Sequence, residues 1–287
     1  MPQARDNYGV LSPEARRFIT RWLSPLVRVW FRPTIEGLEH LPPGPCMIVA
    51  NHSAGIAAAE LTSLATLITA ELPDARIAGF AHTFGFRLPG LRWVHRHLGS
   101  APSTYEGAYA ALDAGATLLV FPGGDHEALR PITQAHRVDF AGRKGFLKIA
   151  RERGLPIVPM GIRGAAFTSP VLLRARWLAW LMVGPRLLGV KRGGVTAVGL
   201  LGAVCAAFLP LSVGARALLA WAWMASPLAF APVVPATVRF SMGAPIAPEE
   251  LFHDASDVEL GAAYERVVSE VQARVDGLAR RARTSDV

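Results

Sequence analysis

Charge is scarce in this chain, and acid is scarcer than base. Only 18% of its 287 residues are charged, with 30 Lys and Arg against 22 Asp and Glu. Charged residues approach a quarter of an average soluble domain. Hydrophobic residues make up 51%, and mean hydropathy is +0.30. That excess apolar surface needs lipid or a partner to cover it. A net charge of +8 and a pI of about 10.3 suit an anionic membrane surface. They would also suit nucleic acid, but no stretch reads as an RNA or DNA module, so nucleic acid is not an expected partner. Cysteine is nearly absent. Cys46 and Cys205 both sit in apolar runs, which excludes a disulfide framework and favours a reducing, cytosol-facing compartment. No signal peptide is expected, because the first apolar residues are interleaved with arginine. There is no Walker loop and no Gly-x-Gly-x-x-Gly fingerprint, and no internal repeat or low-complexity linker.

What is present alternates in period. Short apolar runs at Cys46–Ala50, Arg76–Ala81, Thr117–Phe121, Ile157–Ile162 and Thr237–Ser241 each end in turn residues and predict buried strands. Helical patterns lie between them at about 58–72, 104–115 and 143–153. The alternation predicts an α/β fold, a mostly parallel sheet flanked by helices. Leu260, Ala263, Val267, Val271, Val275 and Leu278 recur at helical steps, so a surface helix is expected over Val258–Arg283.

Two segments stand apart. In residues 14–32, Arg17, Arg21, Arg28 and Arg32 alternate with Phe18, Trp22, Leu26, Val29 and Trp30 behind a Ser12-Pro13-Glu14 helix start. This suits an amphipathic helix lying at a membrane interface, or one packed on the domain. Gly193–Ala215 and Ala217–Val238 carry no charge, and each is longer than the ~20 residues that cross a bilayer. Prolines and glycines interrupt both, and Arg216 would fall at a hairpin tip. A re-entrant hairpin and two true spans fit equally, and Trp221 and Trp223 would anchor either. The expected division is an interfacial helix at 1–34 and one domain at 35–287, with a membrane-associated apolar insertion at about 193–238.

Two strand ends carry chemistry. Cys46–Ala50 runs into Asn51-His52-Ser53-Ala54-Gly55, placing His52 where ligands bind in open α/β sheets, beyond a strand's carboxyl end. A histidine there has a pKa suited to taking a proton from a hydroxyl, although a lone histidine is as often structural. Thr117–Phe121 runs into Pro122-Gly123-Gly124-Asp125-His126-Glu127-Ala128-Leu129-Arg130. The glycines let backbone approach a ligand, and the charge crowding is unusual for a plain turn.

Together these motifs resemble the glycerolipid and lysophospholipid acyltransferase family over about residues 35–245. Asn51-His52 resembles the start of its His-x4-Asp block, and Phe121-Pro122-Gly123-Gly124 its Phe-Pro-Glu-Gly block. Leu155–Pro159 resembles its later strand block, and His97–Ser100 loosely its second. The Phe-Pro-Gly-Gly variant, followed by Arg143-Lys144-Gly145-Phe146, is similar to the diacylglycerol-acyltransferase-like branch. The resemblance implies transfer of a fatty acyl group from acyl-CoA or acyl-carrier protein, as co-substrate, to a hydroxyl of a glycerolipid or lysophospholipid. It implies no metal and no other cofactor. It also implies a bilayer-bound site on the cytoplasmic face. His52 would be the base, held by a carboxylate. Asn51, Ser53, Phe121, Pro122, Gly123, Gly124, Glu127, Arg130, Arg143 and Lys144 would line the substrate site, the cations meeting phosphate.

This chain departs from the pattern twice. Position 57 is Ala57, not aspartate, and the first downstream carboxylate is Glu60, eight residues after His52. Glu60 is the expected partner, with Asp125 or Glu127 as alternatives. The glutamate of Phe-Pro-Glu-Gly is Gly123, which argues against a glycerol-3-phosphate or lysophosphatidate acceptor. Competing readings are a serine hydrolase using Ser53 with His253, and a non-catalytic lipid-binding homologue. A metal site built from His95, His97 and His126 or His136 matches no standard spacing.

Overall fold

A computed structural model describes residues 7–52, 59–182, 191–253 and 257–284. The strands in chain order are β1 (Thr34–Glu36), β2 (Met47–Ala50), β3 (Ile77–Ala81), β4 (Ala101–Pro102), β5 (Thr117–Val120), β6 (Ile157–Arg163), β7 (Val171–Ala175), β8 (Gly193–Thr196) and β9 (Arg239–Met242). Seven of them form one sheet in the order β1-β9-β6-β2-β5-β3-β4, and β7 and β8 pair separately as an antiparallel two-stranded sheet. β2 to β6 are parallel along the sheet, whereas β9 runs antiparallel to β6 and β1 follows β9. The sheet is therefore mostly parallel, with a reversed pair at one edge. β1, β4, β7 and β8 are not among the expected strands, and β8 opens the uncharged run that was read as an apolar insertion.

Alternation along β2 divides the core. Met47 and Val49 face one layer, packed with Leu118, Ile157, Phe146 and Leu147. Ile48 and Ala50 face the other, with Leu64, Leu67, Val158, Met160 and Ile162. Burial on both faces explains why β2 reads as an unbroken apolar run. The C-terminal helix, Asp257–Thr284, covers the first layer with the periodic residues expected of it. Val267, Val271 and Val275 are fully buried. At Gly161 of β6 a Cβ would collide with backbone around Val275, so the helix rests directly on the strand.

The N-terminal segment is helical but not uniform. Ser12 caps Pro13–Phe18 by accepting from the Ala15 N–H, a π-helical turn follows at Ile19–Leu23, and Ser24–Trp30 resumes the α-helix. Pro25 explains the wider turn. It has no N–H for the Arg21 carbonyl and its ring would crowd that carbonyl. Ile19, Val27 and Phe31 face the core, while Phe18, Trp22, Leu26, Val29 and Trp30 are exposed.

The uncharged region begins with β8 and continues as two helices, Ala197–Ala207 and Val213–Ala225. They pack against each other where Gly202 meets the Trp223 indole, since any Cβ there would collide with the ring. Arg216 lies near the turn between them. Its guanidinium donates to the carbonyls of Leu211 and Ala207 at 2.9 Å each, capping the first helix. At 11 and 13 residues the helices are roughly 17 and 20 Å long. Among the described residues no helix is long and apolar enough to cross a membrane, so the two-span alternative does not hold for this pair.

Candidate active site

The carboxyl ends of β2, β3 and β5 open onto a cleft of about 800 Å³. Its walls are largely apolar: Phe80, Phe84, Leu91, Val120, Phe121, Phe146 and Ile149. His52, His82, His95, Ser103, Thr104, Tyr105, Asp125, Arg143 and Lys191 supply its polar groups. Leu91 comes from the Pro89–His97 helix.

His52 stands two residues beyond β2, with its ring tilted against Phe121 at a centroid distance of 5.1 Å. Its Nδ1 is hydrogen-bonded to Oε1 of Glu60, which is completely buried. Glu60 lies in the first turn of the Ala59–Glu71 helix. Residues 53–58, including Ser53 and Ala57, lie outside the described residues. Burial pulls the His52 imidazole down, but the Glu60 charge and hydrogen bond, with Glu127 behind, outweigh it and leave the pKa above the ordinary histidine value. With Nδ1 on Glu60, Nε2 is the nitrogen left to exchange a proton with a bound hydroxyl.

Several expected substrate-binding residues hold the loops instead. Asn51 is not on the cleft. Its side chain donates to the Ile162 carbonyl at 2.9 Å and accepts from the Ile162 N–H at 2.7 Å, pinning the end of β2 to β6. Asn51→Ala should therefore destabilise the fold by about 2–3 kcal/mol, because two buried backbone groups lose their partners. Urea unfolding monitored by tryptophan fluorescence measures this.

Glu127 is also buried, at 1% exposure. Its Oε2 accepts from the His52 backbone N–H at 3.0 Å, and its Oε1 from the Asp139 N–H at 2.9 Å and Arg130 Nη2 at 3.2 Å. Burial raises its pKa to about 7 against the pull of those donors. Arg130, buried beside it, is held by this pair and by the Asp139 carbonyl and does not reach the cleft.

The Phe-Pro-Gly-Gly turn places Phe121, Pro122 and Gly124 on the cleft, with Gly123 buried behind them. Gly124 has φ +46°, where an L side chain is strained, and its N–H is taken by the Phe121 carbonyl at 3.1 Å. It is therefore not free to serve an oxyanion. Arg143 does line the cleft, but its guanidinium clamps the turn. Nη1 donates to the Pro122 and Gly123 carbonyls at 3.1 and 2.7 Å, and Nη2 pairs with Asp125 at 2.8 Å. Lys144 is not on the cleft, and its Nζ lies beside Gly261 of the C-terminal helix.

Among the described residues no three metal-ligating side chains gather, and Ser53, the nucleophile of the hydrolase reading, is not one of those residues. His253 is 78% exposed in its side chain and pairs with Glu259. His95 stacks on Phe86, His97 lies tilted against Trp93, and His126 pairs with Asp139 at 2.9 Å. Sequence reasoning missed Asp139, Arg174, Lys191 and Arg192. Arg192 pairs with Asp125 at 3.4 Å and Arg174 donates to the His126 carbonyl. Burial alone would raise the Asp125 carboxyl, and Arg143 and Arg192 more than reverse it. These contacts join segments 48 to 67 residues apart, and no local pattern announces them.

Residues 32–163 match the family model described as Acyltransferase. A chicken (Gallus gallus) protein named "DGAT1/2-independent enzyme synthesizing storage lipids" is 33% identical over 133 residues, covering 46% of this chain and 39% of that one. An uncharacterised Mycobacterium tuberculosis protein is 31% identical over 182 residues, 61% of this chain and 49% of that one. Phytyl ester synthase 2 of Arabidopsis thaliana is 28% identical over 138 residues, 45% of this chain and 19% of that one. The chain spans about half the length, or less, of these curated relatives. In fold it is similar to the crystal structure of the 1-acyl-sn-glycerophosphate (LPA) acyltransferase PlsC from Thermotoga maritima. The TM-score is 0.52 and the identity 19%, over 93% of this chain and 82% of that one.

Proposed function

We propose, from the match of residues 32–163 to the Acyltransferase family model and the likeness to the relatives above, that this chain is a membrane-associated O-acyltransferase of the glycerolipid acyltransferase family with His52 as general base. The observation that carries this reading is the His52–Glu60 pair at an apolar cleft. The cleft takes the acyl chain of acyl-CoA or acyl-carrier protein. The acceptor hydroxyl attacks the thioester carbonyl as Nε2 of His52 removes its proton. Glu60 accepts the Nδ1–H bond and stabilises the imidazolium. The tetrahedral intermediate collapses, the C–S bond breaks, and the thiolate recovers the proton from His52. An ester and a free thiol leave, with no acyl-enzyme.

A neutral acceptor fits better than a phosphorylated one. Of the three cations expected to meet phosphate, Arg130 and Arg143 are engaged with Glu127 and Asp125, and Lys144 lies off the cleft. The relatives named for storage lipids and phytyl esters point the same way. Purified protein incubated with radiolabelled palmitoyl-CoA, or palmitoyl-carrier protein, tests this against vesicles of mono- or diacylglycerol and of lysophosphatidate. Labelled ester should form, with a neutral acceptor preferred at least about tenfold, the equivalent of ~1.4 kcal/mol. No ester with any acceptor would defeat the reading, and fluorophosphonate labelling of Ser53 would replace it with a hydrolase.

Membrane association is supported by linked patches of exposed apolar side chains. The N-terminal helices meet the Pro89–His97 helix through a Ser12 N–H bond to the His97 carbonyl at 2.9 Å. They meet the segment after the helical hairpin through Trp30 Nε1 and the Pro232 carbonyl at 3.2 Å. Trp221 Nε1 reaches the Leu181 carbonyl at 2.8 Å, joining the hairpin to the exposed Trp177 and Trp180. Arginines border these patches, as an anionic cytoplasmic leaflet would favour. The hairpin dips into the interface without crossing it.

A further inference from the structure

We propose that Glu127 is a positioning residue for His52, and that position 123 is glycine because the Glu127 carboxylate fills the space beside it. The inference rests on His52 acting as the base. A Cβ built on Gly123 would collide with Cγ, Cδ and Oε2 of Glu127. The backbone does not require glycine there, since φ is −62° and ψ −31°, ordinary for any residue. What excludes a side chain at 123 is therefore the glutamate four residues on. The same Oε2 that lies under Gly123 accepts the His52 backbone N–H at 3.0 Å. Through Oε1 it also holds the Asp139 N–H and Arg130. One buried carboxylate thus ties the end of β2, the turn after β5 and the 138–140 segment to a single geometry. It sets where the imidazole stands relative to the cleft, while Glu60 sets how the ring is turned. Because Glu127 does not line the cleft, its loss should act on turnover and not on substrate binding.

The test compares Gly123→Ala, Glu127→Gln and the double variant in the full chain, beside wild type and His52→Ala. Each single substitution should lower kcat about tenfold with KM within about twofold, and the double should cost no more than about twofold beyond the worse single. A Gly123→Ala variant within twofold of wild-type kcat, or losses that multiply in the double, would overturn the proposal. Gly123→Ala leaves the Glu127–Arg130 charges in place, so it decides the matter if Glu127→Gln does not fold. The backbone amide of His52 gives a readout that needs no turnover. Its proton resonance should lie downfield in ¹⁵N-labelled wild type and move upfield in either variant, and an unmoved resonance counts against the proposal. If wild type transfers no acyl group, the acyltransferase reading fails, and the amide shift still decides whether Glu127 holds His52.

Discussion

Glu60→Gln is expected to lower acyl transfer by about 10²–10⁴-fold while leaving the fold intact, the range in which mispositioned or mis-tautomerised base histidines fall. Glutamine keeps the volume of a fully buried side chain but removes the negative charge that faces Nδ1 of His52. It can also present an N–H to Nδ1, which would place the imidazole proton on Nε2, where it blocks the base. The pH profile carries a second, independent sign. In wild type the Glu60 charge and hydrogen bond more than offset burial and hold the His52 pKa above its ordinary value. Activity in kcat/KM should therefore rise with pH through a midpoint above 6.5. Without Glu60 burial dominates, so the midpoint should move to lower pH even as the plateau falls. A Glu60→Gln enzyme with near-wild-type kcat and an unmoved acid limb would detach Glu60 from the chemistry.

The second large effect concerns the membrane. Trp22, Leu26 and Val29 are exposed in the folded chain, so charging them removes little from the core. The triple variant Trp22→Glu/Leu26→Glu/Val29→Glu should unfold within a few degrees of wild type. Its partition onto anionic phosphatidylserine-containing vesicles should nevertheless fall by roughly 10²–10³-fold, since each such side chain contributes about 1.5–3 kcal/mol when fully buried and less at an interface. Vesicle co-sedimentation reads this directly. Wild-type binding should weaken with salt, as expected where Arg17, Arg21 and Arg28 accompany the apolar side chains. Unchanged partition of the triple variant would mean that these helices do not seat the protein on lipid.

Much of this was legible in sequence because it is local. The runs that became β2, β3, β5, β6 and β9 were bounded by turn residues, and the C-terminal helix announced itself through repeats of three and four. The positions of His52 and of the Phe121–Gly124 turn followed from strand ends in a parallel sheet. Side-chain direction was much less legible. Asn51 belongs to the same motif as His52, yet one residue further back it points at Ile162 and not at the cleft. Arg130 and Glu127 read as substrate-binding residues, and only their burial shows that they satisfy each other. The reversed direction of β9 and the Asp125 contacts with Arg192 depend on pairings distant in sequence. The Pro25 π-turn depends on how one ring is accommodated within a helix that the pattern predicted correctly.

The central claim is that His52 of this chain performs acyl transfer to a lipid hydroxyl. Its most direct measurement is mass spectrometry of lipid esters formed by wild type and by His52→Ala, at equal folded concentration, from the same acyl donor and acceptor vesicles. General-base transfer predicts a new acylated lipid with wild type, and with His52→Ala a rate at least about 10²-fold lower. Equal ester formation by the two proteins would contradict it, as would the absence of any ester from wild type.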